Sequence, residues 1–260
     1  MKSGRDFDQK KIIGMFDAIA PTYDTTNRLL SFKQDEKWRK DAITRALHWV
    51  YAFKGDLQNL RIADVACGTA DMLLHLVRHL AQKGSLERIY GIDPSLEMLR
   101  LAQEKIARRA QEHATKISLE CLEARELKPI ESQSLDLITI AYGLRNVLDR
   151  RAALGEFSRT LKKGGVLVVL EFMRCDQRGI LGTLAHCYTS KILPIFGMLL
   201  SRNYKAYAYL PASIEGFISV EELEDELSAV GLEVVEKRHY LYKSASCILA
   251  VKNTQGRSCT

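Results

Sequence analysis

An apolar run, "LDLITIAYG" (135–143), ends in a cation and an amide, Arg145 and Asn146. A buried strand that delivers these side chains at its exit either ties a loop down or presents them to a ligand. For Arg145 the first option is a salt bridge to Asp149 or to an N-terminal acid, and spacing alone leaves both open. Earlier, "DVACGTAD" (64–71) joins a short apolar run to a helix-like segment. Dinucleotide phosphates would need GxGxxG there, because pyrophosphate must approach bare backbone at a helix N-terminus. The turn keeps small residues, Ala66, Gly68 and Ala70, but one glycine only. Such a turn, opening at Asp64, suits a nucleoside without phosphates. Asp93 closes the next strand, where a carboxylate can accept both hydroxyls of a ribose. Its structural alternative is an N-cap for the helix opened by "DPSLEML". Glu123 and Ala124 follow a third strand, placed for the edge of an adenine.

The elements that must position these residues alternate. Strand-like runs "RIADVA" (61–66), "IYGID" (89–93), "KISLECL" (116–122), "LDLITIAYG" and "VLVVLEF" (166–172) are separated by helix-like segments. In "SLEMLRLAQEKIARRAQ" the spacing places Leu96, Leu99 and Ile106 on one face. "DRRAALGEFSRTL" reads as a helix ended by "KKGG", with lysines in its last turn and glycines past its end. This rhythm implies a doubly wound, mostly parallel sheet. Two helical segments, near 7–20 and 34–53, precede it. After Phe172 come a helix-prone stretch (about 177–201), "RNYKAYAYLPASIEGFI", a short helix "VEELEDELSAVG", and closing strands near "LEVVEKRHY" and "SCILAVK".

With 260 residues, 47% of them hydrophobic, the chain suits one α/β domain with a full core. The formal charge of +6 is spread along the chain, with no basic stripe interleaved with aromatics, so nucleic acid is not the expected partner. Six cysteines form neither a CxxC pair nor a metal-ligand cluster with histidine. Cys67 and Cys121 fall in or beside buried segments, and a reducing cytoplasm suits such free thiols. No apolar signal follows the N-terminus. The most apolar window, 180–200, holds His186, Lys191, Pro194 and two glycines, and reads as a lid or surface-binding segment rather than a membrane span.

Taken together, these residues resemble the class I S-adenosylmethionine methyltransferases, and within them the ubiquinone/menaquinone biosynthesis C-methyltransferases. "MFDAIAPTYDTTNRLLS" (15–31) is similar to that family's N-terminal signature. "DVACGTADM" is similar to its cofactor turn, with Ala70 where the family usually has Gly. "ITIAYGLRNVLD" and "LKKGGVLVVLEF" resemble its fourth and fifth strands, and "YAYLPASIEGF" (207–217) its late Tyr-Leu-Ser-Ile motif. The resemblance implies a Rossmann-like fold with a seven-stranded sheet. It divides one domain into an N-terminal helical cap (1–55), a cofactor-binding core (60–172), a lid (177–217), and a C-terminal helix with closing strands (218–252).

The resemblance also implies S-adenosyl-L-methionine as cofactor, bound by Thr69, Asp93, Glu123 and Ala124. Asp64 and Gly68 come from the turn, Ala141 stands where the family often has Ser, and Tyr23 sits with Phe16 on the cap. The implied reaction is C-methylation of a polyprenyl hydroquinone, demethylmenaquinol or the equivalent ubiquinone precursor. A ring carbon attacks well only when a ring hydroxyl has lost its proton. A phenol titrates near 10, and a fixed guanidinium beside it lowers that by about 1–3 units. Arg145 takes this role, with Asn146 orienting the ring. Tyr188, His186 and Tyr207 are the substrate-binding residues, and the base that takes the ring proton stays open among His186, Tyr188 and a water. The substrate half departs from the family's pattern at Ala185, Asn203, Lys243 and Ile248.

Expected partners are the prenylated quinol and a peripheral contact with the membrane's inner face, with homodimerisation left open. Competing readings are a non-catalytic accessory protein that binds the same donor or quinone, a methyltransferase for another small aromatic acceptor, and an NAD-dependent oxidoreductase.

Overall fold

The computed structural model describes residues 4–174, 204–241 and 245–253. Seven strands form one sheet: β1 (Leu60–Val65), β2 (Leu86–Ile92), β3 (Ile117–Glu120), β4 (Leu135–Ala141), β5 (Leu161–Phe172), β6 (Leu232–Tyr240) and β7 (Ala245–Lys252). Their order is β3-β2-β1-β4-β5-β7-β6. The first five strands run parallel, whereas β7 pairs antiparallel with both β5 and β6. Strand order reverses between β1 and β4, the place where open α/β sheets bind ligands beyond their carboxyl ends.

Side chains alternate across the sheet. Ile62, Leu137, Val166 and Val168 enter the core that α2 (Gln34–Lys54) and α3 (Asp71–Lys83) cover. Ala63, Ile138, Leu167 and Val169 enter the core beneath α5 (Arg150–Thr160) and α7 (Val220–Ala229). Strands buried on both faces read as continuous apolar runs, as β4 does along its whole length.

Several elements differ from the sequence reading. α1 spans Gly4–Leu30 and passes through Pro21. A proline inside a helix costs about 3 kcal/mol. The helix continues because Ile19 and Ala20 before the proline and Thr26 after it are buried, and Asp24 and Arg28 pair with Lys105 and Asp71. α5 ends at Thr160 without a glycine cap, and its next residue, Leu161, already pairs with Leu135. The two lysines of "KKGG" therefore begin β5, where Lys162 meets Asp136 at 2.7 Å. Within α4 (Leu96–Arg109), Leu99 and Ile106 are buried but Leu96 is 68% exposed. It stands at the first helical position, where the chain has not yet turned onto the sheet. Cys67 is buried as expected, whereas Cys121 is exposed just past β3. "YKAYAYLPASIE" forms α6 (Tyr204–Glu215). The two closing strands lie where the alternation placed them. No helix among the described residues is long and apolar enough to cross a membrane.

Candidate active site

The turn after β1 takes its shape from three left-handed residues, Ala66 (φ 52°), Gly68 (φ 53°) and Ala70 (φ 70°). Asp64 braces it from below, accepting from the Leu73 amide at 3.1 Å and the Thr139 hydroxyl at 2.7 Å. Burial pushes the Asp64 carboxyl up to about 7, opposed by the Thr139 hydrogen bond. The loop after β4 comes so close that a Cβ on Gly143 would lie 2.3 Å from that of Ala66.

Asp93 follows β2, with one carboxylate oxygen on the Gly68 amide and the other on the Ser95 amide, each at 2.9 Å. It does not cap α4; Ser95 does, accepting from the Met98 amide at 3.1 Å. Burial raises Asp93 to about 6, against the two amides that favour its charge. Each oxygen thus keeps a lone pair for a further donor, which is what two vicinal hydroxyls require.

These residues open onto a cavity beyond the ends of β1 to β4, roofed by α1. Its walls include Ile12, Ile13, Phe16 and Tyr23 from the roof, Met98 from α4, and Leu122 to Ala124 after β3. Ala66, Gly68, Asp93, Ala141, Gly143 and Asn146 line it too. Among the described residues, the charged side chains in this lining are Asp93 and Glu123. A mostly apolar cavity with an acid at the strand end, beneath a turn that keeps one glycine, fits S-adenosylmethionine better than a pyrophosphate.

The structure thus gathers Gly68, Asp93, Glu123, Ala124, Ala141, Tyr23 and Asn146 around one space. Burial pushes the Tyr23 phenol up, against the pull of Arg145 and Arg39, so it stands protonated. Three expected residues sit elsewhere. Asp64 lies below the turn. Thr69 turns away from the cavity, donating to Asp24 at 2.5 Å and accepting from Lys105 at 2.8 Å. Lys105 also holds Asp71, so this buried network ties α1 to the turn. Arg145 is no free cation. Its guanidinium pairs with the fully buried Glu171 and donates to the Tyr142 carbonyl at 2.9 Å. The acid partner is on β5 rather than Asp149, and the side chain is only 8% exposed.

Asn146 does face the cavity, held by residues that the sequence reading passed over. Gln9 on α1 donates to the Asn146 carbonyl at 3.2 Å and accepts from the Leu148 amide at 3.2 Å. Tyr209 on α6 donates to Asn146 Oδ1 at 3.1 Å. Tyr209 stands two residues past the expected Tyr207, whose side chain lies outside the described residues, as do His186 and Tyr188 entirely. A signal for Glu171 was present, since a lone acid in "VLVVLEF" must find a cation when buried.

The model of the ubiE/COQ5 methyltransferase family matches residues 5–252. The chain belongs to this family. It is 44% identical to the ubiquinone/menaquinone biosynthesis C-methyltransferase UbiE of Campylobacter jejuni (serotype O:6) over 246 residues, 94% of this chain and 98% of that one. The demethylmenaquinone methyltransferase of Thermus thermophilus is 38% identical, over 85% of this chain and 92% of its own. Membership brings S-adenosylmethionine-dependent C-methylation in quinone biosynthesis. Among solved structures, magnesium protoporphyrin IX methyltransferase from Synechocystis, with bound S-adenosylmethionine, superposes with a TM-score of 0.58 at 15% identity, over 95% of this chain and 97% of that one. A Thermotoga maritima S-adenosylmethionine-dependent methyltransferase gives 0.56 at 21% identity, over 93% and 100%. These two establish the class I methyltransferase fold.

Proposed function

We propose that the cavity under α1 holds the donor and that the methyl goes to a ring carbon of a prenylated hydroquinone at its Asn146 end. The observation that carries this reading is Asp93, its carboxylate braced by Gly68 and Ser95 and still open to two hydroxyls. Asp93 would bind the ribose, Glu123 and Ala124 the adenine edge, and Gly68 the sugar's near side. Tyr23 would cover the sulfonium, a cation–π contact of about 0.5–2 kcal/mol.

The donor, when bound, supplies a methyl on positively charged sulfur, which departs as a neutral thioether. Asn146 holds a ring oxygen of the acceptor through its amide, whose orientation Tyr209 fixes. Arg145 biases the ring hydroxyl toward its anion less than a lone guanidinium would, because Glu171 offsets its charge; its larger part is to shape the loop. Alignment within about 3–3.5 Å then falls to Asn146 and the α1 roof. Thr69 acts through α1, by way of Asp24 and Lys105. Tyr207, Tyr188 and His186 remain candidates for the acceptor side.

Peripheral membrane contact belongs to the same reading, since each buried CH₂ of an isoprenoid tail contributes about 0.8 kcal/mol. Leu29 and Phe32 stand exposed beside Lys33 and Lys37 at the α1–α2 junction. Liposome co-sedimentation with and without anionic lipid checks it.

The reaction is tested by combining the protein, deuterated-methyl donor and demethylmenaquinone in detergent, with and without dithionite. Label on the ring only under reduction is the expected outcome. Bound donor with no labelled product would favour the accessory reading.

A further inference from the structure

Arg39, on α2, is a half-buried cation whose guanidinium lies 4.9 Å from the centre of the Tyr142 ring. Among the described residues it makes no ion pair and no hydrogen bond, and its Nε is buried without a partner. The acids that feel its field are engaged elsewhere. Asp71 accepts from Lys105 and Arg28, and Asp35 from the Ser31 hydroxyl at 2.5 Å. The Tyr142 hydroxyl, also buried, has no partner either. A cation whose Nε is buried without a partner, beside a buried hydroxyl that also lacks one, marks a place suited to a missing anion.

Resting on the donor reading above, we propose that Arg39 anchors the carboxylate at the amino-acid end of the methyl donor. With adenine beside Ala124 and ribose on Asp93, the rest of an extended donor runs over Gly68 toward Tyr23 and Tyr142, both in the cavity wall. Along that wall the charged side chains are acids. Of the cations nearby, Arg145 is matched by Glu171, and Lys105 by Asp24 and Asp71. Arg39 remains, a planar fork suited to a carboxylate. An acceptor phenolate would use the same chemistry, so the test separates the two anions.

Calorimetry with S-adenosylhomocysteine and with 5′-methylthioadenosine, which lacks the amino-acid end, decides it. Arg39→Gln should weaken S-adenosylhomocysteine about 10–100-fold and leave methylthioadenosine unchanged, with Arg39→Lys between. Equal loss of both ligands would make Arg39 a scaffold residue and overturn the assignment. So would unchanged donor affinity with a raised KM for the quinol, which points to the phenolate. Should the glutamine variant not fold, Arg39→Lys carries the comparison, using S-adenosylhomocysteine and its carboxyl methyl ester. The ester penalty seen in the native protein must shrink in that variant, and an unchanged penalty overturns the assignment. Native protein that binds neither S-adenosylhomocysteine nor methylthioadenosine refutes the donor reading itself.

Discussion

Tyr209 donates its hydroxyl to Oδ1 of Asn146 at 3.1 Å, while Gln9 holds the main chain of the same residue from α1. Burial pushes the Tyr209 phenol up, so it remains a donor at neutral pH. The amide is thereby oriented with its NH₂ toward the Tyr142 carbonyl and the cavity. Removing the hydroxyl in Tyr209→Phe forfeits a bond of about 0.5–1.5 kcal/mol. Turnover of the quinol should fall about 2–12-fold, with S-adenosylhomocysteine affinity unchanged by calorimetry. A parallel drop in donor affinity would place Tyr209 on the wrong side of the reaction.

The Arg145–Glu171 pair makes a second prediction. Glu171→Gln leaves a buried guanidinium unmatched and should destabilise the protein by about 3–5 kcal/mol in urea unfolding. The apolar double variant Arg145→Met/Glu171→Leu should recover most of that loss. Activity should not return with it if the Arg145 field also serves the acceptor. Higher activity in Glu171→Gln alone would mean that Arg145 works as a free cation.

Asp93 and Asp64 titrate above the ordinary carboxylate range of about 3.9, near 6 and 7, chiefly because they are buried. The folded state therefore holds these protons more tightly than the unfolded chain. The stability they contribute is present below about pH 4 and is lost as pH rises through 6 and 7. Asp64→Asn should thus gain stability relative to the native protein between pH 5 and 8, read from urea midpoints. With Asp93 as the proposed ribose acceptor, donor binding follows the opposite sense, because the hydroxyls need its anion. S-adenosylhomocysteine affinity should rise about tenfold from pH 5 to 7, and Asp93→Asn should abolish that slope.

Much of this frame was legible before any coordinates. The strand–helix alternation fixes the parallel core, since β4 buried on both faces can only read as an unbroken apolar run. Asp93 and Asn146, which line the cavity, were legible because each lies just past such a run. What escaped is long-range pairing. Nothing near Arg145 in the chain names Glu171, 26 residues on, and Thr69 carries no mark that Asp24 will claim its hydroxyl. The first helix, expected near 7–20, runs on through Pro21 to Leu30 because of packing that its own residues do not announce. Arg39 was unremarkable as one charge among many on α2, and only its unpartnered Nε beside the Tyr142 ring, among the described residues, singles it out.

The turns after β1 and β4 touch at Ala66 and Gly143, and both residues line the cavity under α1. Gly143 has an ordinary φ of −110°, so its role is close approach rather than backbone freedom. In Gly143→Ala the new methyl would sit 2.3 Å from the Ala66 Cβ, and neither backbone can yield without parting the turns. Overpacking of this kind costs about 1–3 kcal/mol, and S-adenosylhomocysteine affinity should fall with it. Ala66 is left-handed at φ 52°, where glycine is at ease. Ala66→Gly added to Gly143→Ala should therefore restore both stability and donor affinity. Failure of this pair to rescue would show that the loop after β4 is positioned by something other than the first turn.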